Sequence, residues 1–185
     1  WVAADEAKLR CTVTTPMDGN TPVPHGSLRF CMNMVNQGSF AAAEITFNIT
    51  EPGQQPVDAP VVIKLVATLP MIMRTVTIDG TSQPVRSSAG IHGAASSAAA
   101  WVPPITLDGS DAGSGADGIL VGASAADVVI KGLMLTNFGV TGVESAGLRT
   151  RVVGVHVHAC GSAGVYLYES AVGAVIGDPT QGERG

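Results

Sequence analysis

Apolar and polar residues alternate in short bursts along most of this chain. Leu9, Cys11 and Val13 alternate with polar neighbours in KLRCTVTT, and Ile45, Phe47 and Ile49 do so in EITFNIT. Both patterns predict half-buried strands, because a strand turns successive side chains to opposite faces. Beyond the turn-rich loop EPGQQPVDAP, the segments VVIKLV, LPMI and TVTIDG read as further short strands. One stretch departs from the period of two. In GSLRFCMNMVNQG, Leu28, Cys31, Met32 and Val35 fall at helical spacing, so a short amphipathic helix is expected over 28–37. Ser27 is its N-cap, and Gly38 is expected to close it.

From residue 105 the pattern repeats. ITLDG (105–109) echoes VTIDG (76–80). At a spacing of 22, Ile130 meets Val152, Gly132 meets Gly154, Leu133 meets Val155 and Leu135 meets Val157; Gly139, Gly142 and Val143 then meet Gly161, Gly164 and Val165. Gly118-Ile119 precedes Gly142-Val143 by 24. Short apolar strands and glycine corners at a period in the low twenties mark a solenoid. Strands this short do not stand alone as hairpins, but stacked about 4.8 Å apart they pair with their own copies and align apolar columns. The leucine-rich-repeat consensus is missing, and a doubly wound fold would need helices between the strands. The expected fold class is all-β: a right-handed parallel β-helix with an N-terminal cap containing one short α-helix. Residues 1–60 form the cap, and 61–185 form coils that continue past the end of the chain.

Composition narrows the function. The chain has 185 residues, is 45% hydrophobic, 14% charged and 4% aromatic, and carries 23 glycines and a net charge of −5. Such a chain has ample apolar surface to bury, so it is not disordered. Its acidity and lack of a basic cluster argue against nucleic acid, and no apolar run approaches the ~20 residues that cross a bilayer. Of three cysteines, Cys11 and Cys31 both point into the strand–helix interface, where they form either a disulfide or two buried thiols. No role is assigned to Cys160. Asn48-Ile49-Thr50 is an N-glycosylation sequon, meaningful in a secreted eukaryotic protein.

The N-terminal part resembles the capping region of right-handed parallel β-helix, pectin-lyase-like surface proteins. The resemblance rests on Gly26-Ser27-Leu28-Arg29, Thr46-Phe47-Asn48-Ile49, Leu69-Pro70 and the turn Thr77-Ile78-Asp79-Gly80-Thr81-Ser82-Gln83-Pro84, followed by GILV, VIKGLMLTNF and AVIGD. It implies the fold and an extracellular or cell-surface location. Two features depart from it: Phe30-Cys31 in the helix, and the insertion SSAGIHGAASSAAAWVPP over 87–104.

Candidate chemistry is sparse. Asp79 and Asp108 each precede a glycine at a strand end, where an Asx turn is the ordinary use; an alternative has the two carboxylates stacking as a catalytic pair. The sets carried by β-helix enzymes similar to polygalacturonases are missing, Gly90-Ile91-His92-Gly93 does not supply the histidine element, and Arg149-Thr150-Arg151 is unaccompanied. Asp108, Asp111 and Asp117 are a weak calcium candidate. His156 and His158 should face outward and, with Asp178, form a candidate metal set. Tyr166 and Tyr168 should also project outward, to stack on sugar rings or brace the ladder. No regular Thr-x-Thr column of the kind ice binding needs runs through the later strands.

Two readings of function follow. In the first the chain is a non-catalytic structural or adhesive segment of a larger surface protein, a scaffold or carbohydrate-contacting surface, with further coils or subunits as partners and no cofactor. In the second it is part of a polysaccharide-active lyase or glycoside hydrolase whose active site is incomplete here.

Overall fold

The computed structural model describes residues 8–50, 60–84 and 102–177. β1 (Leu9–Val13) leads to α1 (Leu28–Gln37) and β2 (Ala43–Phe47), then to β3 (Val61–Lys64), β4 (Val76–Asp79), β5 (Ile105–Asp108) and β6 (Ile119–Val121). There follow β7 (Val129–Lys131), β8 (Leu133–Thr136), β9 (Thr141–Ser145), β10 (Arg151–Val153), β11 (His156–His158), β12 (Ala163–Leu167) and β13 (Val175–Ile176). The chain is mostly β and its sheets are parallel. The first sheet runs β1-β2-β4-β7-β10-β13, the second β11-β8-β5-β3 and the third β12-β9-β6.

Register follows the apolar pattern. In the first sheet Cys11, Ile45, Ile78, Ile130 and Val152 are successive partners. In the second, Ile63, Leu107, Leu135 and Val157 are partners, and in the third, Ile119, Val143 and Val165. From Ile45 to Leu135 and Val143 these positions are almost wholly buried in one continuous core. Because side chains alternate, slipping any strand by one residue would turn its column to water. The expected 22-residue pairings of Ile130 with Val152, Leu135 with Val157 and Val143 with Val165 are all observed. The 24-residue pairing of Ile119 with Val143 is observed too.

ITLDG and VTIDG are a different matter. β4 belongs to the first sheet and β5 to the second, so the likeness is one of corner chemistry and not of register.

α1 packs on β1 and β2, burying Leu28, Cys31, Met32 and Val35 into the same core. Ser27 Oγ accepts from Phe30 N at 3.1 Å, the capping bond that the sequence predicts. Gly38 does not close the helix in the left-handed region: its φ is −79°. Glycine fits there because a β-carbon would run into the Phe40 ring. Cys11 and Cys31 are joined by a disulfide with a Cα–Cα distance of 5.6 Å, tying the helix to the edge strand.

Corners recur with the strands. Left-handed backbone appears at Asp127 and Arg149, at Gly132 and Gly154, and at Asn137 and Ala159, each pair in the same place one 22-residue return apart. Only the middle pair is glycine, whereas the sequence reading assigned the corners to glycine generally. Asp and Asn tolerate this region because their short polar side chains bond locally.

Candidate functional site

The outward-facing positions of the three sheets hold the candidate residues. Asp79 ends β4 and accepts from Thr81 N at 3.0 Å, while Lys131, its register neighbour, pairs with it at 2.9 Å. Asp108 ends β5 and accepts from Ser110 N at 3.0 Å and from Asn137 Nδ2 at 2.9 Å. Burial raises the Asp108 carboxyl, but the bonds from Asn137 and Ser110, with the charge of Lys64, outweigh it and hold the group below its ordinary value. Both aspartates are therefore corner acceptors. They stand on different sheets, which corrects the alternative of a stacked catalytic acid pair. The step from β4 to β5 carries the chain from one sheet to the next rather than back to the same one.

Of the other acids of that loop, Asp117 accepts from Thr141 N at 2.9 Å. Among the described residues no group of three or more His, Cys, Asp or Glu is placed to hold a metal ion.

His156 and His158 flank the half-buried Val157 on the outer face of β11, both exposed. The His158 ring nitrogen Nδ1 lies 3.2 Å from Thr136 Oγ1 on the neighbouring strand. Asp178, the proposed third member of that set, lies outside the described residues, as does most of the 87–104 insertion. Cys160 is half-buried with its Sγ 3.6 Å from His158 O, turned to the backbone rather than to the imidazoles. Asn48 is exposed, as an acceptor of glycan must be.

Tyr166 and Tyr168 project from the end of the third sheet, 49% and 46% exposed. Their rings meet edge to face with centroids 5.0 Å apart. Tyr168 Oη donates to Glu144 Oε1 at 2.8 Å, and Glu144 is the register partner of Tyr166. That bond, reinforced by the carboxylate charge, raises the Tyr168 phenol above its ordinary value. The Ile72–Val121 bridge extends this face toward the N-terminal side, setting Met71 beside Leu120 and Met73 beside Gly122. The outer surface of the third sheet is thus apolar and aromatic with a single acid within it.

At the first sheet Asp127, Val129, Arg149, Arg151, Gly173 and Val175 line an open groove of about 460 Å³. Asp127 accepts two bonds from Arg149, both 2.6 Å long. The Arg149 bond lowers the Asp127 carboxyl, and the Asp127 bond raises the guanidinium. Arg149 therefore has a companion that motif reading missed. The signal was available: the two residues are 22 apart, the spacing of the repeat.

A second pair escaped sequence reading because nothing periodic marks it. Arg29 and Asp18 form an ion pair at 2.8 Å, their side chains 6% and 2% exposed. The remaining guanidinium donors reach Thr68 O at 2.9 Å and Ala67 O at 2.8 Å. Asp18 also accepts from Val66 N at 3.0 Å. Every hydrogen-bonding atom of the pair has work within the fold, so it is a structural clamp.

Among the described residues no helix is long and apolar enough to cross a membrane. No family model, curated protein or solved structure matches the chain.

Proposed function

We propose that the three sheets are the faces of one right-handed parallel β-helix, covered at its N-terminal end by α1, and that the protein is a non-catalytic structural or adhesive segment of an extracellular or cell-surface protein. One observation carries this reading. Three consecutive strands, each in a different sheet, pair with their own copies 22 residues on. From β4 onward the strands visit first, second and third sheets in unbroken rotation. The resemblance to pectin-lyase-like surface proteins supports the same reading, and the Cys11–Cys31 disulfide suits an oxidising compartment. The acids that would serve catalysis are instead turn acceptors.

The partners that fit this reading are further coils or further subunits. β11, β12 and β13 each end a sheet, and such strands carry donors and acceptors for another strand. A specific observation also favours carbohydrate contact: two exposed tyrosines beside a carboxylate.

The test is incubation with pectins, alginates and related polymers, reading both chain cleavage and retention of the protein on the insoluble polymer. The expected result is no cleavage, with any retention lowered by Tyr166→Ala with Tyr168→Ala. Cleavage that disappears with Asp79→Asn or Asp108→Asn would overturn the reading in favour of a polysaccharide-active enzyme.

A further inference from the structure

Met71 and Met73 sit on either side of the buried Ile72, in a segment whose backbone is fixed from two sides. Ile72 N donates to Leu120 O at 2.8 Å and Ile72 O accepts from Gly122 N at 2.8 Å. From the other side Asn36, in the last turn of α1, donates to Met71 O at 2.7 Å and accepts from Met73 N at 3.2 Å. Ile72 is 2% exposed, whereas Met71 and Met73 are 45% and 44% exposed, so their side chains leave the sheet on its outer face.

Both thioethers come to the same place. A β-carbon built on Gly122 would lie 2.8 Å from Met73 Sδ and 3.0 Å from Met71 Sδ. The two sulfurs are therefore within about 6 Å of each other, over a residue that has no side chain to separate them. Ser124 Oγ lies 3.9 Å from Met73 Sδ. Both side chains are exposed, so the convergence lies at the surface of the sheet.

We propose that Met71 and Met73 form a binding site for a soft monovalent cation, Cu(I), the missing side chain at Gly122 letting the two sulfurs converge. Thioether sulfur is a soft donor that favours Cu(I) and ligates Mg²⁺, Ca²⁺ and Zn²⁺ poorly. Thioethers carry no proton at the donor atom, so binding does not wait on deprotonation as it does at thiol or imidazole sites. Two protein donors leave the remaining coordination to solvent or to a delivered ligand, which makes the site one of exchange rather than of permanent storage.

The experiment uses the full chain with Cys160→Ser, which removes the competing thiol. Ag(I) serves as the redox-inert probe, followed by Cu(I) under a reductant in competition with a chromogenic chelator. With methyl-labelled methionine, the Met71 and Met73 resonances should shift and saturate together, while Met17 and Met34, also exposed, stay in place. Met71→Leu with Met73→Leu keeps the size and apolar character of both side chains and should weaken Cu(I) binding at least about tenfold. Gly122→Ala keeps both sulfurs but sets a β-carbon against them, forces them to shift and should weaken binding as well. Unchanged affinity in the double leucine variant, or methyl shifts confined to other methionines, overturns the proposal.

Discussion

Residues 8–50 and 60–84 supply strands to the first two sheets and meet the third only at the Ile72–Val121 bridge, whereas residues 102–177 supply strands to all three. In the first region successive strands of the first sheet are far apart, with Leu9 paired to Ala43 and Ala43 to Val76, and the step out of it, from Thr77 to Val129, is longer still. What holds them is a set of one-off ties. The Cys11–Cys31 disulfide, the buried Arg29–Asp18 pair and the Gln83 side chain, which bonds both N and O of Ile49 at 2.9 and 3.0 Å, have no counterpart one return later. In the second region the spacing shortens from Ile105–Leu133 to Ile119–Val143 and then to Ile130–Val152, and the Arg149–Asp127 and Tyr168–Glu144 ties each span one return. Corner residues sit above corner residues and apolar residues above apolar residues. Stability in the first region rests on a few strong, specific contacts. In the second it is the sum of many similar weak ones, the behaviour of stacked repeats.

The sharpest break of that contrast is Arg29→Ala. It strands the Asp18 carboxylate, 2% exposed, with only the Val66 amide as donor. The expected loss is ~3–5 kcal/mol in urea unfolding, the cost of an uncompensated buried charge. Joint replacement by Arg29→Met and Asp18→Asn should cost less than the sum of the single changes, because the two side chains act as one unit. Additive losses would show that the pair is not the clamp its geometry describes.

Within the second region the register itself offers a control. Leu135 and Val157 are partners in adjacent strands, yet Leu135 is fully buried and Val157 only half so. Leu135→Ala should cost ~3 kcal/mol and Val157→Ala ~1 kcal/mol, since the loss follows the area removed from water and the cavity left behind. Equal losses would mean that Val157 is covered in solution by something beyond the strands described.

The corners sharpen the comparison at smaller scale. Gly154 and Ala159 share a left-handed conformation, with φ of 56° and 53°. Gly154→Ala should lower stability by ~1 kcal/mol, and Ala159→Gly should leave it unchanged or raise it by up to ~1 kcal/mol. If both changes destabilise equally, the conformation at residue 159 is not the left-handed one.

How far the molecule could be read in advance follows the same division. The strands from Ile119 onward, their partners and their inward residues were legible, because a constant spacing superimposes like on like. α1 and its Ser27 cap were legible from helical periodicity. The Arg29–Asp18 clamp was not, since its partners come from a loop and a helix with no shared period. The two aspartates misled in another way: Asp-Gly marks a corner, and a corner recurs in every sheet, so likeness there carries no information about register. Of the outer faces, sequence could say only that His156, His158, Tyr166 and Tyr168 point out. That Glu144 meets Tyr168, or that Met71 and Met73 converge on Gly122, depends on which strand lies beside which.

The smallest effect concerns a corner where a single neutral donor crosses from strand to strand. Asn137, itself left-handed at φ 61°, donates to Asp108 across a 29-residue separation. Together with Ser110 it holds the Asp108 carboxyl below its ordinary value despite the contrary pull of burial. A carboxyl depressed in the folded state binds its proton less readily than in the unfolded chain. Its contribution to stability is therefore complete above the ordinary aspartate range, near pH 4, and disappears as pH falls through the lower folded value. Asn137→Gly keeps the corner conformation and removes the donor, so the Asp108 carboxyl carbon followed by NMR should titrate at higher pH than in the parent. The acid limb of thermal stability should soften slightly, as expected of a group still largely open to solvent. Asp127 makes the internal comparison, because its partner is Arg149 and not Asn137. Its titration should stay where it was, and a shift of both aspartates together would mean that the substitution had disturbed the whole stack rather than one bond.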